Sequence, residues 1–321
     1  MTEQKIYDLL IIGTGMAGLA CAVYARRFKM SVLILGELQG GTITQTHLVE
    51  NYPGYSSISG FELGMKFVEH AKSVNAEMKS TSIVSVKKLM KFEGGGIDGK
   101  AVFSATNKKG ELFLGHSILI GTGLTHRHLD VPGETEYTNK GVSYCATCDA
   151  PLYKGKKVIV VGGGDSAFKE SLFVAEHASE VTIMYRGSRE KIRPELINLQ
   201  RVEANPKIKL MLNTAIKEIH GDGNRVTHVT LGDGSVFATD GVFVEIGGTA
   251  RSEFAEYLGC ALDSHKQIII DRYSRTNVEG VFAAGDVTDS EWKQGVVCAA
   301  EGAAAAYSAY NYVSKIKLKI T

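Results

Sequence analysis

The chain has 321 residues, 44% of them hydrophobic and 22% charged, and its formal net charge at pH 7 is +1. This length suffices for two domains with sizeable cores. The near-neutral charge gives no reason to expect nucleic acid or an anionic membrane as a partner, and no apolar run reaches the roughly 18 residues of a membrane-spanning helix.

The cysteines and the amino terminus indicate the cellular compartment. Five cysteines is an odd number, and Cys21, Cys260 and Cys298 stand alone in the sequence. This is not the disulfide framework of a secreted protein. The polar first residues do not read as a signal peptide. We therefore expect a protein of the reducing cytoplasm.

The first third of the chain is predicted to form a βαβ unit around a glycine-rich turn. The predicted elements are a buried strand over residues 5–12, a helix over 19–27 and a strand over 31–35. Between the first strand and the helix stands a GxGxxG pattern with Gly13, Gly15 and Gly18. Glycines there let backbone N–H groups and a helix amino terminus approach a pyrophosphate. A lone pattern is weak evidence, but its place between two strands indicates a dinucleotide site.

Two loops follow this unit. Gly36 ends the second strand, and Glu37, one residue later, is the candidate acid for the ribose hydroxyls. The polar loop at residues 40–43 suits an adenosine or isoalloxazine group. A rigid turn at residues 50–54 presents the amide of Asn51. Composition alone identifies both segments only as loops.

Residues 80–120 change to a β pattern. Short strands are predicted over 82–86, 101–105 and 111–114, with hairpin turns at 94–99 and 107–110. An antiparallel flap of this kind, added to a dinucleotide fold, suits a flavoprotein. Residues 116–123 return to a buried strand that ends in the glycines Gly121 and Gly123.

The middle third repeats the opening of the chain. Its predicted elements are a strand over 156–161, a glycine fingerprint over 162–167, a helix over 168–178 and a strand over 180–185. Two fingerprints in the same strand–turn–helix context are strong evidence for two dinucleotide sites.

The end of the last of these strands bears on which nucleotide binds. An NAD site normally has an acid there, whereas this chain has a basic segment with Arg186, Arg189 and Arg193. Guanidinium groups at that position suit the 2′-phosphate of NADPH. The alternative is a solvated basic turn, and Glu190 lies in the middle of the segment.

The last third is predicted to return to the first domain. A strand over 241–246 ends in glycines at 247 and 248, as the strand before Gly123 does, so we interpret the two crossings as a double linker. A short strand at 280–286 presents Asp286 after Gly285 and offers a carboxylate to a ribityl hydroxyl. An alanine-rich helix over 294–312 points its amino terminus toward the pyrimidine end of a flavin.

The sequence therefore predicts an α/β fold with two Rossmann-like dinucleotide-binding domains, the second inserted in the first. The first comprises residues 1–123 and 248–321, and the second comprises residues 124–247.

Cys145 and Cys148 lie just ahead of the second fingerprint, with Asp149 directly after them. Alone, a CxxC pair can be a redox disulfide, half a zinc site or two packed thiols. Structural zinc normally takes four ligands, and the chain offers no second CxxC. His126 and His128 do not have finger-like spacing either. The neighbouring nucleotide motifs favour a redox pair.

Together these motifs resemble the low-molecular-weight thioredoxin reductases, and the resemblance extends over essentially the whole chain. It implies a flavoprotein that uses FAD and NADPH, a thioredoxin or thioredoxin-like partner, and a homodimer. It implies that Cys148 receives electrons from the flavin, that Cys145 attacks the partner's disulfide, and that Asp149 supplies a proton. The cofactor-binding residues that it implies are Gly13, Gly15, Ala17, Gly18, Gly36, Glu37, Gly40, Gly41, Thr42, Asn51, Gly123, Gly162, Gly164, Asp165, Ser166, Ala167, Arg186, Arg189, Gly285, Asp286, Lys293, Gln294 and Gly295.

The chain departs from the family at the expected 2′-phosphate site. The usual His-Arg-Arg cluster has Tyr185 in place of the histidine and Gly187 in place of the second arginine. Arg189 and Arg193 are candidates to compensate. A reductase driven by NADH or another donor, or one serving a glutaredoxin-like or peroxidase-linked protein, therefore stays open as an alternative.

Overall fold

The computed structural model describes residues 5–89 and 102–318. The chain divides into two compact units, the first comprising Met1–Thr125 and Ala250–Thr321 and the second His126–Thr249. Each unit boundary lies two residues beyond the boundary predicted from sequence. No helix in the described ranges is both long and apolar enough to cross a membrane.

The strands, in chain order, are β1 (Ile6–Ile12), β2 (Val32–Gly36), β3 (Glu77–Ser80), β4 (Ile83–Leu89), β5 (Val102–Asn107), β6 (Leu112–Ile120), β7 (Leu124–His126), β8 (Val142–Ser143), β9 (Lys157–Val161), β10 (Glu180–Met184), β11 (Ile208–Met211), β12 (Ile216–Gly221), β13 (Val226–Leu231), β14 (Val236–Ala238), β15 (Gly241–Val244), β16 (Gly248–Ala250) and β17 (Val281–Ala283). The helices are α1 (Met16–Arg27), α2 (Gly60–Ser73), α3 (Ala146–Asp149), α4 (Asp165–His177), α5 (Leu196–Ala204), α6 (Glu253–Tyr257) and α7 (Gly295–Leu318). Short 3₁₀ turns cover Thr42–Gln45, Ala150–Tyr153 and Arg189–Lys191.

The first unit is built on a sheet of order β3-β2-β1-β6-β5-β4, with β17 paired to β6. The strands β1, β2, β3, β6 and β17 run parallel, and β4 and β5 add an antiparallel flap. Ile12 pairs with both Leu35 and Ile120, so three parallel strands end together beside the glycine loop that follows β1. Ligands of open α/β sheets bind at this edge of carboxyl ends.

The helices α1 and α7 pack closely against each other because a glycine lies at their crossing. A Cβ built on Gly302 would stand 2.1 Å from the carbonyl oxygen of Ala17. The alanines Ala305, Ala306 and Ala309 of α7 are fully buried in the same core cluster as Leu9 and Ile11. The small side chains of α7 thus bring its first turn to the glycine loop after β1.

One predicted detail of this unit is wrong. The strands expected at 111–114 and 116–123 are a single strand, β6, which ends at Ile120. The prediction ends the first strand before Gly115, but this glycine lies within β6. A Cβ there would lie 2.7 Å from Cγ of Leu10, so the glycine is needed for close packing. Glycine here permits close packing and does not interrupt pairing. The hairpin turn predicted at 94–99 lies outside the described residues, as does residue 101, the first of the strand predicted at 101–105.

The second unit has a parallel sheet of order β11-β10-β9-β15-β8 and a separate antiparallel sheet, β12-β13-β14. The helices α4 and α5 pack beside the parallel sheet, and α3 lies against α4. Val161 pairs with both Met184 and Val244, so three strands again end together beside a glycine loop. Where the chain passes between units, β7 and β16 pair in a two-stranded sheet.

Candidate functional site

The two neighbouring cysteines of the second unit form a disulfide. Cys145 lies in extended backbone just before α3, and Cys148 lies within that short helix. The N–H of Cys148 donates to the sulfur of Cys145 at 3.2 Å, and the N–H of Cys145 donates to the hydroxyl of Ser143 at 3.1 Å. An N–H aimed at a sulfur stabilises negative charge on it once the disulfide is reduced. The backbone therefore favours Cys145 as the thiolate of the reduced pair.

Asp149 is the last residue of α3 and is half-buried. Burial, together with the charges of Asp149 and Asp240, raises the pKa of Tyr153 to about 12. The carboxylate of Asp149 therefore lies near the Tyr153 ring, within one turn of the disulfide. A carboxyl group at this position can exchange a proton with a leaving sulfur.

The glycine loop of the first unit leaves no room for side chains. A Cβ on Gly13 would stand 2.1 Å from the carbonyl oxygen of Gly121, and one on Gly18 would stand 2.2 Å from that of Gly13. Gly41 has a φ of +74°, and a Cβ there would stand 2.4 Å from Cα of Gly15. The helix α1 begins at this loop with no side-chain cap and no acid in its first turn. A loop in which closely packed glycines lie at an uncapped helix amino terminus fits the pyrophosphate of a dinucleotide.

Other predicted residues of the first unit lie near this loop. Asn51 Nδ2 donates to Oε1 of Gln294 at 3.1 Å, which joins the 50–54 turn to the residue before α7. A Cβ on Gly295 would stand 2.9 Å from the sulfur of Met16, and one on Gly285 would stand 3.0 Å from Cβ of Ala17. Glu37 and Thr42 are exposed. The structure thus brings residues from four separate stretches of sequence together around the start of α1.

The loop carrying Asp286 rests on side chains that the sequence analysis did not predict. The N–H of Gly285 donates to a carboxylate oxygen of Glu301 at 2.7 Å, and the thiol of Cys298 donates to Oδ1 of Asp286 at 3.2 Å. Burial raises the pKa of Glu301 and lowers that of Lys293. The ammonium of Lys293 donates to the carbonyl oxygen of Thr288. The sequence does contain one signal for Glu301, because it is the single acidic residue of the alanine-rich helix α7.

A cavity of about 660 Å³ lies at the glycine loop of the second unit. Among the predicted residues, Gly162, Gly164, Ser166 and Arg186 line it. Arg193, a candidate to compensate at the 2′-phosphate site, also lines it, together with two basic residues that were not predicted, Arg127 and Lys191. Several cations beside a glycine loop fit a ligand with phosphate groups.

Three predicted residues of this unit take other positions. Arg189 forms an ion pair with Glu203. The carboxylate of Asp165 accepts from the N–H of Glu195 at 2.7 Å and from the amide of Asn198 at 2.8 Å, so it holds the start of α5. Ala167 is fully buried in the core.

Tyr185 shapes the basic end of the cavity. A Cβ on Gly163 or on Gly187 would stand 2.5 or 2.7 Å from the Tyr185 ring, so the ring lies between these two glycines. Its hydroxyl donates to the carbonyl oxygen of Lys191 at 3.3 Å. Gly187, at the position of the family's second arginine, is therefore required by the ring of Tyr185.

Two acids lie close together by the same glycine loop. Glu245 lines the cavity, and burial together with the charge of Glu170 raises its pKa to about 8. Burial raises the pKa of Glu170 to about 7. One carboxyl oxygen of Glu170 is buried and has no hydrogen-bond partner among the described residues. Neither acid was predicted from the sequence, because neither belongs to a motif with fixed spacing.

Replacing Glu170 with glutamine should stabilise the protein at high pH. The unfolded carboxyl ionises near 4.5, whereas the folded one holds its proton up to about pH 7. The contribution of the group to the free energy of unfolding is therefore full below pH 4.5. It decreases as the pH rises and is lost above about pH 7. We expect Glu170→Gln to raise the free energy of unfolding by about 1–2 kcal/mol more at pH 8.5 than at pH 5.5. Thermal unfolding at both values measures this.

The matched control is Glu176→Gln, which changes an exposed acid on the same helix. It should shift the unfolding temperature little at either pH. An equal shift at pH 5.5 and 8.5 for the Glu170 variant would mean that ionisation is not the cause.

We call the glycine loop at the start of α1, with Gly13, Gly18 and Gly41, the glycine cradle. A two-unit α/β chain with this cradle, a nucleotide-type cavity in the second unit and a CxxC disulfide has the features of a flavin-linked disulfide oxidoreductase. The chain belongs to the pyridine nucleotide-disulphide oxidoreductase family, whose model matches residues 7–302. It is 40% identical to the thioredoxin reductase of Bacillus subtilis (strain 168) over 325 residues, which cover 99% of this chain and 98% of that protein.

Solved structures agree with this assignment. The thioredoxin reductase of Lactococcus lactis in its FR conformation matches with a TM-score of 0.88 and 36% identity, covering 96% of this chain and 99% of that one. The thioredoxin reductase of T. acidophilum matches with a TM-score of 0.86, with the same identity and coverage. The resemblance to thioredoxin reductases and the predicted fold of two Rossmann-like domains are thereby confirmed.

Proposed function

We propose that this chain is a thioredoxin-disulfide reductase that uses NADPH and FAD. The observation that carries the proposal is the Cys145–Cys148 disulfide, held in the same unit as a basic, glycine-lined cavity. The relatives named thioredoxin reductase, which match nearly the full length of this chain, support thioredoxin as the partner. A homodimer is part of the same proposal and is tested by the molar mass in solution.

The cofactors are assigned to the units by the residues that fit them. The FAD-binding domain that we propose, residues 1–123 with 248–321, would hold FAD through the glycine cradle, Asn51 and the Asp286 loop. The proposed NADPH-binding domain, residues 124–247, would hold NADPH through the Gly162 loop and the basic lining of its cavity. When both are bound, NADPH supplies a hydride and FAD converts it into the electron pair that a disulfide accepts.

The chemistry of the chain itself begins from the reduced cysteines. Reduction of the disulfide takes two electrons and leaves two sulfurs, of which Cys145 is stabilised as a thiolate by the N–H of Cys148. The Cys145 sulfur attacks one sulfur of the partner's disulfide, a mixed disulfide forms, and the other partner sulfur leaves with a proton that Asp149 can supply. Attack by Cys148 on Cys145 then re-forms the internal disulfide and releases the second partner thiol.

Turnover with purified partners tests the proposal. The protein is mixed anaerobically with NADPH, and thiol release is followed with thioredoxin, with a glutaredoxin-like protein and with a peroxidase component as alternative acceptors. Parallel reactions replace NADPH with NADH. Fast reduction of thioredoxin by NADPH is the expected result. Reduction of only another acceptor, or only by NADH, would transfer the assignment to the corresponding alternative.

Replacing Arg186 with alanine should weaken the binding of NADPH much more than the binding of NADH. Arg186 lines the cavity at the end of β10, where a 2′-phosphate is expected. A hydrogen bond to a charged group contributes about 1.5–3 kcal/mol, so KM for NADPH should rise about 10- to 100-fold. NADH has no 2′-phosphate, and its KM should change little. Steady-state kinetics with both nucleotides measure the difference.

The control is Arg225→Ala, a side chain that is 65% exposed and pairs with Asp222 away from the cavity. Arg189→Ala separates the two interpretations of the basic segment. A rise in KM for NADPH would add Arg189 to the site, whereas no change would assign it to its ion pair with Glu203. An equal rise in KM for NADPH and for NADH in the Arg186 variant would contradict the proposed role of Arg186 at the 2′-phosphate.

A further inference from the structure

Tyr144, the residue before Cys145, has a hydroxyl group with two hydrogen-bond partners. Tyr144 donates to Oε1 of Glu134 at 2.7 Å, and Nδ1 of His128 lies 2.8 Å from the same phenol oxygen. Because the phenol's one proton goes to Glu134, its oxygen is an acceptor and His128 is the donor. Burial and the bond to Glu134 raise the pKa of Tyr144 well above its usual range, so the group stays a phenol.

Glu134 anchors this arrangement. Its side chain is only 4% exposed, and its two oxygens accept from the N–H groups of Leu129 and Asp130, each at 2.8 Å. A buried carboxylate with three hydrogen bonds is held in one position. It ties Tyr144 to the backbone of the 129–130 loop.

His128 faces the nucleotide cavity as well as the tyrosine. It lines the cavity together with Arg127 and Asp130, and its side chain is 60% exposed. A ligand in the cavity therefore meets the same imidazole whose Nδ1 is bonded to Tyr144. The contacts run without a gap from the cavity, through His128 and Tyr144, to the backbone of Cys145.

The position of the Cys145 sulfur depends on this backbone. Cys145 is extended, with φ −143° and ψ 92°, and in that conformation its sulfur accepts the N–H of Cys148 at 3.2 Å. Movement of the Tyr144–Cys145 peptide would take the sulfur away from that N–H. The thiolate would lose its stabilising donor, and its reactivity would change.

We propose that Tyr144 is a positioning residue for Cys145 and that, through His128, nucleotide in the cavity changes the reactivity of the Cys145 thiol. The inference rests on the proposed function for the identity of the nucleotide, but its contacts all lie within one unit. Where bound nucleotide changes the pKa of the Cys145 thiol, linkage requires that ionisation of this thiol changes nucleotide affinity by the same factor.

The test measures alkylation of Cys145 in full-length protein carrying Cys148→Ser. The protein is kept reduced with dithiothreitol, which is removed before iodoacetamide is added. Peptide mass spectrometry follows Cys145 apart from the other thiols, across pH 6–10, with and without saturating NADP⁺. We expect NADP⁺ to change the alkylation rate about fivefold or more, the lower end of common coupling energies. Calorimetry confirms NADP⁺ binding in each variant.

The variants Tyr144→Phe and His128→Gln, each made in the Cys148→Ser background, should reduce the NADP⁺ effect to less than about twofold. Tyr144→Phe should also move the pH profile of alkylation upward, which a loss of overall stability alone would not do. The matched control is His126→Gln, whose ring centroid lies 6.0 Å from that of Tyr144. It should retain the full NADP⁺ effect.

Two outcomes overturn the inference: an NADP⁺ effect that persists undiminished in Tyr144→Phe, or no effect in the Cys148→Ser parent although NADP⁺ binds. Turnover of the wild-type protein is measured in parallel. Normal thioredoxin reduction without coupling refutes the inference alone. Coupling without thioredoxin reduction refutes the proposed function alone.

Discussion

Replacing Cys148 with serine should abolish NADPH-dependent reduction of thioredoxin, by about 10³-fold or more, as expected when one member of a unit that acts together is removed. Without its sulfur the internal disulfide cannot form, so there is no group to accept the electron pair and none to resolve the mixed disulfide with the partner. The flavin should still be bound and still be bleached by NADPH, because the glycine cradle and the basic cavity are unchanged. Steady-state thiol release and anaerobic flavin absorbance measure the two halves separately.

The two cysteines should fail in different ways. In Cys145→Ser the attacking thiol is missing, so no mixed disulfide with thioredoxin forms. In Cys148→Ser the mixed disulfide forms and persists, and it can be trapped and mapped to Cys145. Cys260→Ala is the control, because this thiol is buried in the core of the first unit. Normal turnover of Cys148→Ser would disprove the disulfide mechanism, and a trapped adduct on the other cysteine would reverse the two roles.

The features that the sequence predicted are those fixed by neighbours along the chain. The two glycine fingerprints and the CxxC pair depend on spacings of two to five residues, and β1 and β9 are apolar runs next to them. Each pattern is set by local backbone geometry, so it is visible without any tertiary contact. This is why the fold class and the redox pair were predictable.

The basic segment after β10 shows why the rest was not. Arg186, Arg189 and Arg193 are equally good candidates in the sequence. In the structure Arg186 and Arg193 line the cavity, whereas Arg189 pairs with Glu203, fourteen residues further on in α5. Which arginine faces a ligand is decided by partners that lie far away in sequence, and a count of charges does not contain that information.

Side chains that support the site were missed for the same reason. Glu301 holds the N–H of Gly285, sixteen residues earlier, and Glu134 holds Tyr144, ten residues later. Neither belongs to a motif with fixed spacing. Glu134 becomes buried and Glu301 partly buried only when the chain folds, and their hydrogen bonds to backbone and phenol then hold the functional loops in place.

Replacing Gly41 with alanine should strip the protein of FAD. The residue has a φ of +74°, which costs alanine about 1 kcal/mol, and the new Cβ would stand 2.4 Å from Cα of Gly15. The neighbouring atoms are backbone, so they cannot rotate away, and the 40–42 loop must move off the start of α1. We expect FAD affinity to fall about 100-fold or more, equivalent to about 3 kcal/mol. The flavin-to-protein ratio after gel filtration measures the loss.

The control separates the clash from the backbone strain. Gly110 has a φ of +79°, nearly that of Gly41, but a Cβ there meets nothing within 4 Å. Gly110→Ala therefore carries the same conformational cost without the contact, and it should keep its flavin. NADP⁺ binding, a property assigned to the other unit, should survive in both variants and shows that the chain has folded. If Gly41→Ala retains FAD as firmly as Gly110→Ala does, the approach of the 40–42 loop to Gly15 does not form the flavin site, and the cradle must be assigned to Gly13 and Gly18 alone.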